Sequence, residues 1–314
     1  MQGVRLSSRN VNINYSTNPQ PLAGGFVEID AFAKINLFLA VLDKRADGYH
    51  NIMSVMQSLS LHDSLCISKT GTTAGNVTLE TNENFDDNNL IVRAATRVMK
   101  ECNIIEDVHI KLTKRIPIGA GLGGGSSDAA ATLHGINQLF GLGLSIGQLA
   151  NIGKDIGADV PFCVYAKDNA TIAVGGFGDK VLPISPHPPC YVVLACPQIH
   201  VSTGEIFSRL SQLPQRRVDA KHRIAKLWNC LDTGDIAKIS STFYNQFTFI
   251  TANKHKHVYR LIDGFMNNNA LGASMTGTGA TVFAYFDNEN NACSARDKLE
   301  QIHKDTKFFV TATR

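Results

Sequence analysis

Apolar and polar residues alternate along the first part of the chain in the way that β-strands require. Alternation over residues 26–41 predicts one long bent strand or hairpin, and Ala46-Asp47-Gly48 supplies its turn. A second apolar run over 55–67 extends the sheet, and 108–112 alternates again. The first third of the chain is therefore predicted to form strands.

The apolar spacing changes to the helical period after residue 88. Residues 88–102 form an apolar stripe behind an Asp/Asn cap, and helices are also expected over 126–140 and 145–156. Ser145 and Gln148 are spaced as a capping box. Beyond the prolines of 183–189, we expect a strand at 191–195, helices across much of 204–267, and strands at 281–286 and 308–311.

This order of strands and helices predicts an α+β fold of two domains, 26–184 and 185–314. Residues 1–25 contain no acidic residue and no apolar core long enough for a secretory signal. We interpret them as a poorly ordered extension, with an organelle transit peptide as the minor alternative.

Composition narrows the class of protein. A chain of 314 residues with 44% hydrophobic residues can bury a sizeable core, and a net charge of +3 without a long basic run argues against nucleic-acid binding. Its apolar stretches are too short to cross a membrane. Seven scattered cysteines without a Cys-x-x-Cys pair are typical of reduced thiols in the cytoplasm. The oligomeric state is left open.

Five glycines lie between Gly119 and Gly125, just before Ser126 and Ser127 at the start of a predicted helix. Glycine lets backbone N–H groups approach a ligand closely, and a helix N-terminus favours anions. The segment predicts a phosphate cradle, with a flexible loop as the alternative. It lacks the Gly-Lys-Ser/Thr ending of a Walker loop and the position of a dinucleotide fingerprint.

Two charged residues are candidates for chemistry. Lys34 lies in an otherwise apolar strand, where alternation places it on one face with Asn36, and a partly buried lysine needs a charged partner. The alternative is a solvent-exposed lysine on an edge strand. Asp159, in the turn 157–161 expected at the end of a helix, offers a carboxylate, although such an aspartate is more often a turn or cap residue.

The glycine-rich string resembles the Gly-Leu-Gly-Ser-Ser motif of the galactokinase, homoserine kinase, mevalonate kinase and phosphomevalonate kinase superfamily. Its longer form is similar to that of the 4-diphosphocytidyl-2-C-methyl-D-erythritol kinases. The segments that carry the resemblance lie in the order found in that family, at 33–37, 45–50, 121–130, 157–161 and 276–280. The string Arg-Ala-Asp-Gly-Tyr-His at 45–50 is the discriminating one, because the other kinases do not generally carry it.

The resemblance implies ATP-dependent phosphorylation of the 2-hydroxyl of 4-diphosphocytidyl-2-C-methyl-D-erythritol, in the methylerythritol phosphate route to isoprenoid precursors, with Mg²⁺ arriving on ATP. It implies that Asp159 is the general base and Lys34 its electrostatic partner. It places Asn36 at the acceptor, Tyr49 and Phe207 on the two faces of the cytosine ring, and His50 at its polar edge.

The resemblance also assigns residues to ATP, with the adenine end at Asn89, Leu90 and Lys114. Gly277 and Gly279 support the phosphate loop in the family, although a tight strand entry explains these glycines equally well. The residues assigned to ATP binding are Asn89, Leu90, Lys114, Pro117, Gly119, Gly121, Gly123, Gly124, Gly125, Ser126, Ser127, Gly277 and Gly279.

The metal ligands stay unassigned. Asp128 stands where some relatives carry asparagine, and its carboxylate is a candidate either to help hold magnesium or to cap a helix. Two other functions remain open: a different small-molecule kinase of the superfamily, and a nucleotide-binding regulator without catalysis. The presence of Lys34 and Asp159 argues against the regulator.

Overall fold

The computed structural model describes residues 25–46, 48, 50–83, 89–167, 170–176, 180–184, 187–212 and 219–314. The predicted extension at 1–25 lies outside this part of the chain except for Gly25, and so does Tyr49.

The first two strands form a long hairpin. Strand β1, Phe26–Lys44, pairs antiparallel with β2, His50–Lys69. Two irregularities near Lys34 and Asn36 shift the register and bend the pair, as bulges do. At the turn, the N–H of Gly48 donates to the carbonyl of Arg45 over 3.2 Å. Of the two alternatives for residues 26–41, the structure shows the bent strand and not a hairpin. The predicted turn lies between β1 and β2, although its Asp47 is outside the described residues.

Five further strands join this hairpin in a mixed sheet: β3 (Val77–Thr81), β4 (Val108–Thr113), β5 (Thr171–Gly176), β6 (Lys180–Pro183) and β8 (Tyr244–Asn245). The strand order is β3-β4-β2-β1-β8, and β5 pairs with the other end of β2 and with β6. Lys34 is only 3% exposed, and its N–H donates to the carbonyl of Leu122 over 2.9 Å. The interpretation of Lys34 as an exposed edge lysine is therefore wrong.

Four helices contribute to the core beside this sheet: α1 (Leu90–Glu101), α2 (Gly124–Leu139), α3 (Ile146–Lys154) and α4 (Val160–Tyr165). The Asn89 side chain caps α1 by accepting from the N–H of Ile91, and Ser145 and Gln148 form the predicted capping box of α3. Helix α2 begins at Gly124, two residues before the predicted start. The short helix α4 was not predicted, and Asp159 immediately precedes it instead of ending a helix.

The second half of the chain builds an antiparallel sheet of β7 (Tyr191–Pro197), β9 (Gly272–Met275), β10 (Val282–Phe286) and β11 (Thr306–Ala312), in the order β11-β7-β10-β9. Its helices are α5 (Thr203–Gln212), α6 (Ala220–Thr233), α7 (Ile236–Ser240), α8 (Thr248–Lys254), α9 (His257–Met266) and α10 (Glu289–Ile302). The predicted strands and the helical stretch are confirmed, except that β8 interrupts that stretch.

A shared core joins the two sheets. Ile35, Leu37 and Phe38 of β1 belong to the same buried cluster as Leu194 of β7 and Phe283 of β10. Fully burying an apolar side chain of this size contributes about 1.5–3 kcal/mol, so this seam holds β1 firmly against the second sheet. The division into domains at residue 184 stays a prediction. In the described part of the chain, no helix combines the length and apolarity needed to cross a membrane.

Candidate active site

A cavity of about 1090 Å³ opens between the glycine-rich segment, β1, α4 and α5. Its volume is slightly larger than the ~300–1,000 Å³ of typical small-molecule sites. The predicted site residues that line it are Lys34, Asn36, His50, Asn89, Leu90, Lys114, Pro117, Gly119, Gly121, Gly123, Gly124, Gly125, Ser126, Asp159, Phe207 and Gly277.

The glycine-rich segment turns directly into helix α2 at one wall of the cavity. Gly119, Gly121 and Gly123 all have positive φ, between 69° and 75°, a conformation that costs other residues roughly 1–2 kcal/mol. Gly123 is the N-cap of α2, and no described side chain caps the helix. The first-turn N–H groups and the positive end of a 16-residue helix therefore remain available to an anion.

The Lys34 ammonium lies 3.3 Å from a carboxylate oxygen of Asp159. The lysine is buried, whereas the Asp159 side chain is one-third exposed to the cavity and can reach a ligand. Lys34 comes from β1 and Asp159 from the start of α4, so the fold brings together two residues that are 125 positions apart. Lys34 and Asp159 therefore form the ion pair whose existence the sequence pattern alone could not establish.

Asn36 connects Lys34 to the third glycine motif. Its Oδ1 accepts from Lys34 Nζ over 3.0 Å, from the Thr276 hydroxyl over 3.1 Å and from the Gly277 N–H over 3.0 Å. Its Nδ2 donates to Ser54 Oγ over 3.0 Å, and the residue is 1% exposed. Although Asn36 was assigned to the acceptor, its polar atoms are engaged by the protein, and it orients Lys34.

The third glycine motif lies against the phosphate loop. A Cβ atom at Gly121 would lie 3.1 Å from the carbonyl oxygen of Thr276, and one at Gly277 would lie 3.4 Å from the carbonyl oxygen of Gly121. Gly279 instead packs against Met275, where a Cβ would lie 2.7 Å from the sulfur, and it does not line the cavity. Close backbone approach explains the glycines at 121 and 277, whereas the Met275 and Thr251 side chains leave no room for a Cβ at Gly279.

Ser127 also departs from its assignment to ATP. Its hydroxyl donates to the carbonyl of Phe32 over 2.7 Å, and its N–H donates to the carbonyl of Gly123 over 2.9 Å. The side chain is turned towards β1 and does not line the cavity, whereas Ser126 does. Ser127 therefore attaches helix α2 to β1.

A buried group of charges lies beside the glycine loop. The Lys114 ammonium contacts Asp63 and, over 2.8 Å, Asp128. All three side chains are at most 4% exposed. Burial raises the pKa of the Asp128 carboxyl to about 8; Lys114 opposes the increase and the nearby Asp63 adds to it. Asp128 is the fifth residue of α2, so the helix-cap interpretation is wrong.

The aromatic rings of His50 and Phe207 line another part of the cavity. The ring centroids of His50 and Phe207 are 5.3 Å apart, and Phe207 lies edge-on against the buried ring of Phe247 at 4.8 Å. Tyr49 is outside the described residues. Two of the three residues assigned to the cytosine ring are therefore neighbours on this wall.

Sequence reasoning missed Asp63, Thr276 as a partner of Asn36, and Phe247 behind Phe207. Asp63 carried a signal, because an aspartate within the apolar run 55–67 is unusual at a strand position that faces the core. Within the described ranges, no group of three or more His, Cys, Asp or Glu side chains is arranged to hold a metal ion.

Comparison with known families matches both halves of the chain. Residues 89–167 match the model of the GHMP kinases N terminal domain, and residues 222–305 match that of the GHMP kinases C terminal. The chain is 36% identical over 288 residues to the 4-diphosphocytidyl-2-C-methyl-D-erythritol kinase of Caldicellulosiruptor bescii. The alignment covers 91% of this chain and 98% of the relative. Identity to the enzyme of the same name from Caldicellulosiruptor saccharolyticus is 38%, over 90% of this chain and 96% of the relative.

Solved structures give the same picture. A crystal structure of a 4-(cytidine 5'-diphospho)-2C-methyl-D-erythritol kinase superposes with a TM-score of 0.75 at 25% identity, covering 91% of this chain and 99% of that one. The mevalonate kinase of Methanococcus jannaschii superposes with a TM-score of 0.71 at 15% identity, covering 93% and 100%. The second likeness supports the α+β kinase fold predicted from the sequence.

Proposed function

Because this chain belongs to the 4-diphosphocytidyl-2-C-methyl-D-erythritol kinases of the GHMP kinase family, we propose that it transfers the γ-phosphoryl group of ATP to the 2-hydroxyl of 4-diphosphocytidyl-2-C-methyl-D-erythritol. The chain is an ATP-dependent small-molecule kinase. The observation that carries the proposal is the 3.3 Å Lys34–Asp159 pair in the same cavity as an uncapped glycine-rich helix N-terminus.

The nucleotide side of the site is the phosphate cradle. The N–H groups at the start of α2 donate to the β- and γ-phosphates. Gly121 and Gly123 give the loop its positive-φ turns and let it pack closely on Thr276 and Lys34. Mg²⁺ enters as part of the MgATP substrate and neutralises charge on the phosphate oxygens that ligate it. Asn89 and Leu90, at the start of α1, line the cavity where the adenine end is assigned.

The residues on the other side of the phosphates prepare the acceptor. Asp159 accepts the proton of the 2-hydroxyl while that oxygen forms a bond to the γ-phosphorus and the bond from phosphorus to the ADP oxygen breaks. Lys34 fixes the orientation of the Asp159 carboxylate, and Asn36 fixes Lys34. Positioning and electrostatics supply most of the acceleration in this class of reaction.

The aromatic wall recognises the cytidine diphosphate head group of the acceptor. Phe207, supported by Phe247, stacks on one face of the base, and Tyr49 is assigned to the other face. Because every base has a π-face, stacking gives affinity without selectivity, and hydrogen bonds must discriminate cytosine from uracil. We assign that discrimination to His50, beside Phe207.

The test is ADP release in a coupled assay with MgATP and a panel of acceptors. We expect rapid ADP release with 4-diphosphocytidyl-2-C-methyl-D-erythritol and background release with mevalonate, with homoserine and without acceptor. Equal or faster turnover with mevalonate or homoserine would contradict the assigned acceptor. Binding of MgATP without turnover on any acceptor would favour the non-catalytic regulator.

A further inference from the structure

Asp63 anchors the segment that leads into the phosphate loop. Its Oδ1 accepts from the backbone N–H groups of Arg115 and Ile116, and its Oδ2 accepts from the Lys114 ammonium. Three consecutive residues just before Pro117 thus donate to one fully buried carboxylate. An acceptor with several charge-assisted hydrogen bonds holds its donors tightly.

Asp128 holds the same ammonium from helix α2. Its Oδ2 is 2.8 Å from Lys114 Nζ, whereas its buried Oδ1 has no hydrogen-bond partner among the described residues. A buried oxygen without a partner is costly, and proteins keep few of them. Within the described part of the chain, the one hydrogen bond that the Asp128 carboxylate makes is to Lys114. This contact favours a role in holding the lysine over a role as a magnesium ligand.

The Lys114 ammonium lies directly beside the first turn of α2. A Cβ atom at Gly124 would come within 2.8 Å of Nζ, and Lys114 lines the cavity. An ammonium has three N–H donors, and the two carboxylates use two of them. No third partner is present among the described residues, and the ammonium lies at the end of the helix where the polyphosphate is expected.

We propose that Asp63 and Asp128 are positioning residues for the nucleotide, which hold the Lys114 ammonium beside Gly124 so that its third N–H binds a phosphate of ATP. This inference rests on the proposed binding of MgATP in the glycine cradle. It moves Lys114 from the adenine end, where the family resemblance placed it, to the polyphosphate.

The net charge of Asp63, Lys114 and Asp128 affects how strongly a polyphosphate binds beside them. With Asp128 protonated, Lys114 and Asp63 cancel, whereas ionised Asp128 leaves one net negative charge beside the phosphates. The charged groups that act on Asp128 are Asp63 on β2 and Lys114 after β4. The thiol of Cys163 on α4 lies close enough to be influenced by Asp128, and Asp159 and Lys34 act on that thiol in turn. Helices α1 and α3 bury only apolar residues and glycine. Nucleotide affinity is therefore expected to fall as Asp128 ionises.

Binding of MgADP, measured by calorimetry at pH 7 and pH 9.5, tests this without catalysis. The wild-type Kd is expected to rise at least roughly threefold at the higher pH, because like charges repel. Asp128→Asn keeps the shape without the charge, so its Kd should stay within about twofold across this range. Asp128→Ala should raise Kd roughly tenfold at pH 7, the loss typical of a charge-assisted hydrogen bond.

Asp63→Asn tests the contact between Asp63 and the Lys114 ammonium separately. The amide oxygen can still accept from Arg115 and Ile116, but the amide N–H₂ cannot accept from Lys114, so Kd should rise roughly tenfold at pH 7. The control is Asp297→Asn, an exposed carboxylate on α10 whose loss should leave the wild-type Kd and its pH dependence unchanged.

Wild-type pH dependence in Asp128→Asn, or wild-type affinity in Asp63→Asn, would overturn the inference. If Asp128→Ala does not fold, as judged by thermal melting, the pH profile of Asp128→Asn decides. Failure of the wild-type protein to bind MgADP would instead refute the proposed function on which the inference depends.

Discussion

Gly123→Ala is expected to impair catalysis through Lys34 in addition to any direct effect on ATP. Gly123 has φ +70°, and an added Cβ would lie 2.8 Å from Lys34 Cγ and 3.0 Å from Lys34 Cε. Because carbon atoms prefer separations of about 3.5–4.0 Å, the lysine must retreat by roughly 0.7 Å or more. Lys34 is buried and bonded to Asn36 and Asp159, so this movement disturbs the catalytic pair.

A matched variant separates the effect of backbone strain at Gly123→Ala from the effect of displacing Lys34. Gly141 also has positive φ, +60°, but nothing lies within 4 Å of an added Cβ. Both Gly123→Ala and Gly141→Ala should therefore lose roughly 1–2 kcal/mol of stability from backbone strain. Since a misplacement of about 1 Å in a catalytic group can cost on the order of 100-fold, Gly123→Ala alone should lower kcat by roughly 10- to 100-fold.

The assay is steady-state ADP release at saturating substrates, with urea denaturation of each variant to measure the shared strain. If the kcat of Gly123→Ala lies within twofold of that of Gly141→Ala, Lys34 tolerates the displacement. In that case the close packing of Gly123 on Lys34 has no catalytic role.

Three further outcomes are expected. Tyr49→Ala and Phe207→Ala should raise KM for the acceptor, and His50→Ala should relax the preference for cytidine over uridine head groups in steady-state kinetics; an unchanged ratio would exclude His50 from discrimination. Burial holds the pKa of Asp128 at about 8 in the folded protein, well above the ordinary value of an exposed aspartate, so the folded state keeps a proton that the unfolded state loses. Relative to Asp128→Asn, wild-type stability should thus fall as pH rises from about 4 to about 8 and then level off, and denaturation at pH 5 and pH 8 that shows no such fall would contradict the shift. Asn36→Ala should cost roughly 1–3 kcal/mol in urea denaturation because it leaves buried donors unpaired, and a loss below about 0.5 kcal/mol would show that water replaces the amide.

The sequence predicted much of the fold because local patterns determine much of it. The bent strand β1, the capping box at Ser145 and strands β7, β10 and β11 of the second sheet follow from periodicity and caps that act within a few residues. Strand β9 of that sheet was not predicted. Strand β8 was missed because it is two residues long and exists only through its pairing with β1. No local signal marks such a strand.

The site was predicted where motifs carry it and missed where long-range contacts do. The resemblance assigned Lys34 and Asp159 to one pair, but only the fold shows that Asn36 holds Lys34. Asp63 escaped notice because its three donors come from residues more than 50 positions away. Ser127 was assigned to phosphate from its motif, whereas in the fold its hydroxyl donates to the carbonyl of Phe32 on β1.

Single-turnover phosphoryl transfer by Asp159→Asn, with excess enzyme, MgATP and 4-diphosphocytidyl-2-C-methyl-D-erythritol, is the most direct test of Asp159 as the general base. The transfer rate should be lower by on the order of 10²–10⁴, because the general base is lost, and the Kd for MgADP should stay within about twofold of wild type. A transfer rate near that of the wild type would remove Asp159, and with it the Lys34–Asp159 pair, from the mechanism.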